Sequence, residues 1–128
     1  MSVRVEVSWG EMLDKVTILQ IKAERIKDAA KLTNINNELT ALSQERARAL
    51  AQGNHIAELE AELKKINEAL WVIEDDIRDC ERNKDFGPKF IELARAVYFT
   101  NDKRATVKRQ INDALGSALT EEKSYQAY

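Results

Sequence analysis

The sequence predicts an all-α fold: an antiparallel bundle of about four helices, with a long hairpin formed by the third and fourth and a short extended segment at the N-terminus. Three observations predict it. Apolar residues recur at spacings of three and four from Ile56 to Cys80, the repeat of one helix face. Charged residues make up 33% of the chain while glycine occurs 4 times and proline once, the make-up of long helices with solvated faces. The breaks between periodic segments are only a few residues long, so consecutive helices must double back on one another. The 128 residues suit one domain over 1–128, large enough for its own core.

Val3, Val5 and Val7 alternate with Arg4 and Glu6, which is strand periodicity. No second strand is evident, so this segment must lie against helices, pair with the C-terminal tail or pair with another subunit. Ser8-Trp9-Gly10-Glu11 reads as a capping box, with Val7 and Met12 or Leu13 as its hydrophobic staple. The first helix is expected over 9–27. Met12, Val16, Leu19, Ala23 and Ile26 form one stripe, and Leu13, Ile18 and Ile21 widen it, so this helix is central.

Asp28 is the expected cap of a second helix over 29–51. Leu32, Ile35, Leu39, Leu42, Arg46 and Ala49 give it a heptad-like seam. Gln52-Gly53-Asn54 breaks the pattern, with Gly53 ending one helix and Asn54 capping the next. The third helix is expected over 55–83, on Ile56, Leu59, Leu63, Ile66, Leu70, Ile73, Ile77 and Cys80. Pro88 suits the first turn of a fourth helix over 88–115, where its missing N–H costs nothing. The inward stripe there is apolar at its ends and polar between: Ala94, Val97, Asn101, Arg104, Lys108, Ile111, Leu115. Seams of this kind serve a monomeric bundle or a homodimer alike.

Composition excludes several classes of function. A net charge of −2 gives no electrostatic footing for nucleic acid. No apolar run reaches the ~20 residues that span a bilayer, and the N-terminus lacks a signal-peptide apolar region, so a cytoplasmic location is expected. The single cysteine fits a reducing compartment. No metal or other cofactor is expected. His55 and Glu58 give one His-x-x-Glu in the reverse order of a di-metal helix motif, and Cys80 lies far along the same helix. Cys80 falls on the apolar seam, flanked by Asp79 and Glu81, which points to a buried, inert thiol.

The constellation that best supports chemistry is the polar interruption of the bundle. Lys15, Lys22 and Arg25 share a region of the first helix beside Asp14. Arg104 and Lys108, four apart, share a face of the fourth, with Tyr98 and Asn101 near its apolar positions. If these faces meet, Asp14, Lys15, Lys22, Arg25, Tyr98, Asn101, Arg104 and Lys108 line a cationic interhelical pocket for a small phosphate or dicarboxylate. The competing reading is a solvated charged face laced with i,i+4 pairs such as Glu11–Lys15 and Glu74–Arg78, with Asn101 setting helix register. Trp9 and Trp71 are expected in or beside the core. The tail from Leu119 to Tyr125 is polar and charged, and a tail of that kind is usually frayed.

SWGEMLDKVTILQIKAERI, LWVIEDDIRDCE, DFGPKFIELARAVYFTNDKRATVKRQIN and LGSALTEEKSY, in this order, resemble a family of short bacterial and phage proteins of unknown function. The resemblance covers nearly the whole chain. It implies no catalytic residues, and it implies that the tail from Leu119 to Tyr125 folds back onto the bundle. It implies a setting near surface-polysaccharide and glycosyltransferase genes, which is an association and not a mechanism. The chain departs from the family at Asp28-Ala29, where Asp-Pro is frequent. Leu13, Asp14, Ile18, Leu19 and Arg25 also resemble the first helix of the all-helical chorismate mutases, which implies a dicarboxylate held by Arg and Lys of several helices. The readings that emerge are a helical interaction or accessory module, homodimeric or with a protein partner, and an anion-binding protein or enzyme.

Overall fold

The computed structural model describes residues 1–128 and contains four helices: α1 (Trp9–Arg25), α2 (Ala29–Leu50), α3 (Asn54–Arg82) and α4 (Pro88–Leu115). No helix is long and apolar enough to cross a membrane. The all-α bundle expected from the 3-4 spacing is present, with α3 and α4 as its most extensive packed pair.

The ends of the helices follow local chemistry. Ser8 Oγ accepts from the Glu11 amide at 3.1 Å, as the capping box requires. The reciprocal half is missing, because the Glu11 carboxylate accepts from Lys108 Nζ instead. Val7 is more than half exposed and contributes little to a staple. α1 stops at Arg25, short of the expected 27, because Ile26 turns extended and Asp28 caps α2 by accepting from the Lys31 amide at 2.9 Å. Asn54 is not the cap of α3; it is the first helical residue, and Gly53 precedes it at φ 140°, a conformation open to glycine alone. Pro88 opens α4 as expected, and Gly116 closes it in the left-handed region.

The central position expected for α1 is observed: it packs on α2, α3 and α4. α2 does not lie along the α3/α4 hairpin. It packs chiefly on α1 and diverges from α3 after their turn, which is clipped by a bidentate Arg46–Glu60 pair at 2.7 and 2.8 Å. The core therefore sits at one end of the molecule. It comprises Met12, Leu13, Val16, Ala49, Ile56, Leu63, Val107 and Ile111, sealed by Trp9, Leu39, Leu42, Leu50, Leu59, Ile66 and Leu115. The ladder of α3 continues past it, but Ile73 and Ile77 lie outside the core cluster and stay half-buried.

Candidate functional site

The polar interruption of the seams is real, and its centre is Asp14. This side chain is buried at the crossing of three helices. Arg104 of α4 holds it in a fork, Nε donating to Oδ1 at 2.9 Å and Nη2 to Oδ2. Asn67 of α3 donates to Oδ1 at 2.9 Å and to Thr17 Oγ1 at 2.9 Å, and Thr17 in turn donates to the Asp14 carbonyl. Every buried polar side-chain atom has a partner. The Asp14 hydrogen bond raises the Arg104 pKa against the opposing effect of burial, so the guanidinium stays charged.

One turn along α4, Lys108 donates to Glu11 and to Glu121 of the tail, each at 2.8 Å. Burial lowers the pKa of this ammonium; the two carboxylates outweigh burial and carry it above its usual value. The same contact holds the Glu121 carboxyl below its usual range. Beyond it, Gly10 brings α1 against α4. Its N–H donates to Asn112 Oδ1 at 2.7 Å, and a Cβ there would stand 2.5 Å from the Lys108 carbonyl oxygen. Ser117 Oγ donates to Asn112 Oδ1 and accepts from the Trp9 amide.

The tail folds back along α4, as expected. Glu122 lies near Arg109, and the Tyr128 hydroxyl donates to Asp102, which raises the Tyr128 pKa. Tail and helix enclose an open groove of about 1020 Å³, bordered by Tyr98, Asn101, Arg104, Lys123 and Tyr125 among others.

The eight residues of the expected pocket do not converge as a set. Arg104 meets Asp14, Lys108 lies one turn away, and Tyr98 and Asn101 border the groove with Arg104. Lys15 is exposed on the α2 side, paired with Glu38 at 3.1 Å. The expected Glu11–Lys15 pair is absent because both residues have partners on other helices, whereas Glu74–Arg78 forms. Arg25 lies 3.8 Å from Glu68 and over the Trp71 ring, at the other end of α1. Lys22 is half-buried and makes no ion pair. Arg104 and Lys108, the two that are close on α4, are already matched by carboxylates, Asp14 for the one and Glu11 and Glu121 for the other. Sequence reasoning missed Asn67, Asn112, Glu121 and Gly10. The available signal for Asn67 was its place beside Ile66, on the inward edge of α3.

A second feature lies at the opposite end. Beyond Trp71, α3 and α4 run as a two-helix hairpin. Val72 and Ile91 are 48% and 56% exposed there, Tyr98, Phe99 and Phe86 are exposed too, and Ile77, Phe90, Leu93 and Val97 are half-buried. Cys80 is the one buried side chain of this stretch and is a free thiol.

No curated protein and no solved structure matches the chain. A family model does match, over residues 3–128, and its description is a family of unknown function. That span takes in every element from the valine segment to the folded-back tail, and the chain belongs to this family, DUF6165.

Proposed function

We propose that the chain is a non-enzymatic helical interaction module that associates with a second copy through the distal half of its α3/α4 hairpin. The observation that carries this reading is the exposure of Val72, Phe86 and Ile91 on that half, where the α3 ladder outruns the core. Two helices bury one seam and leave its flanks wet; a second hairpin laid against them completes a four-helix arrangement. Charge fits a copy of the same chain. Asp75 and Asp76 on α3, and Lys89 and Lys103 on α4, have no ion-pair partner within the chain. An antiparallel mate sets the acidic helix of one copy against the basic helix of the other. The resemblance alone supplies the setting: cytoplasmic support of bacterial surface-polysaccharide assembly. Sedimentation equilibrium tests the reading. The wild type is expected to dimerise, and Val72→Glu with Ile91→Glu to be monomeric with unchanged circular dichroism. A wild type that stays monomeric at high micromolar concentration overturns it.

A second reading rests on Tyr98, Asn101 and Arg104 bordering one groove. There the chain binds a small phosphate or dicarboxylate, with Lys123 as the added cation. Thermal stabilisation by phosphate or succinate, weakened by Asn101→Ala and Lys123→Ala, is the expected result; no stabilisation removes this reading.

A further inference from the structure

The N-terminal segment is unpartnered. None of the backbone amides of residues 1–7 donates a backbone hydrogen bond, and Arg4 and Glu6 make no ion pair. Val3, Val5 and Val7 are 85%, 73% and 54% exposed. The segment leaves the bundle beside the Ser117 turn, where Trp9 is tied to Ser117 Oγ, and Leu119 is exposed two residues further on. An alternating valine strand with a free backbone edge is a template for another strand.

Its pattern specifies which strand. Residues 2–8 read Ser-Val-Arg-Val-Glu-Val-Ser, a palindrome of residue type whose only mismatch is one of charge sign. Paired antiparallel with itself about Val5, it sets Val3 opposite Val7, Val5 opposite Val5, and Arg4 opposite Glu6 on both sides. All valines then share one face and both opposite-charge pairs share the other. Other registers fail. A shift of two residues sets Arg4 against Arg4 or Glu6 against Glu6. A shift of one opposes valine to charge, and in-register parallel pairing stacks like on like.

We propose that residues 3–7 of two copies pair as an antiparallel two-stranded ribbon centred on Val5, an interface between copies separate from the α3/α4 hairpin. A two-stranded ribbon is marginal alone, so its valine face needs cover; the exposed Leu119 beside the exit of the segment is apolar surface at hand. The ribbon does not depend on the hairpin contact, which lies at the other end of the molecule.

The test uses the full chain with Val5→Cys, because directly opposed residues of antiparallel strands place their Cα atoms roughly 4.5–5.5 Å apart, within disulfide reach. Mild oxidation with copper–phenanthroline is expected to give a disulfide dimer from Val5→Cys and none from the wild type, whose Cys80 is buried. Adding Arg4→Glu or Glu6→Arg is expected to cut the cross-linking rate by about tenfold, since each reversal creates two like-charge pairs. Combining both reversals restores it. Cross-linking is unchanged in a Val72→Glu, Ile91→Glu background, which separates this contact from the hairpin. Absence of the dimer, or equal cross-linking in all charge variants, overturns the proposal.

Discussion

Arg104 grips Asp14 across 90 residues of sequence, and both oxygens of that buried carboxylate are taken, with Asn67 sharing one of them. The pair therefore ties α4 to α1 and α3. Removing one member leaves a buried charge uncompensated. Arg104→Met, which strips the buried Asp14 carboxylate of its cation, is expected to cost about 3–5 kcal/mol, read by urea denaturation. Asp14→Leu with Arg104→Met is expected to recover much of that loss. A double variant whose loss equals the sum of the single ones shows that the two residues are not coupled.

Gly10 and Gly116 make opposite predictions about what an added methyl does. At Gly10 the methyl meets backbone, the Lys108 carbonyl, which cannot swing aside. Gly10→Ala is expected to cost about 1–3 kcal/mol and to weaken the Asn112 contact. At Gly116 nothing lies nearby, and the cost of about 1–2 kcal/mol comes from the left-handed backbone. Gly116→Asn separates the two causes, because asparagine tolerates that conformation; it is expected to recover part of the loss, whereas Gly10→Asn loses more than Gly10→Ala.

The latch between Lys108 and Glu121 predicts an acid-opened tail. The folded pKa of Glu121 lies below its ordinary value near 4.5, so its stabilisation is complete above that value and is lost as pH falls through the folded one. Lys108 is shifted up from 10.5, so its share persists below that pH and fades only in strong alkali. Across neutral pH the tail is held. A dye on Ala127→Cys is expected to show high anisotropy at pH 7 and a fall in acid below the ordinary carboxylate value. Glu121→Gln should lower the anisotropy already at neutral pH. Identical anisotropy in both proteins means that Glu121 does not hold the tail.

Cys80 is buried although it lies in the thinner half of the hairpin. Its thiol is expected to resist iodoacetamide in the native protein and to react at once in denaturant. Reaction in native protein that tracks local rather than global unfolding would show the distal hairpin opening by itself.

Much of this fold was legible from residue spacing. The Ile56-to-Cys80 ladder, the Ser8 and Asp28 caps, the Gly53 turn and Pro88 are local signals, and local chemistry decides them. The polar gap in α4 was legible too, since Arg104 and Lys108 fall on an otherwise apolar stripe. Their partners were not. Asp14 carries no mark that distinguishes a carboxylate beneath Arg104 from one in water, and Glu121 looks like any residue of a charged tail. Gly10 reads as part of a cap until α4 is seen against it. These features depend on crossing angles, which spacing along one helix does not encode. The same gap explains why Lys15 and Arg25 were grouped with Arg104: they share a helix, but each turns to a different neighbour.

The tie between Gly10 and Asn112 has a bearing on synthesis. The partners of α1 on α4 lie 102 residues on for Gly10 and 90 for Asp14, so its wide apolar face cannot be fully covered while α2 and α3 are being made. During that interval α2 is the neighbour at hand, and the α1/α2 pair must shield Leu13 and Val16 until α4 arrives. Slow elongation through α3 and α4 would prolong that exposure and raise the demand for chaperones.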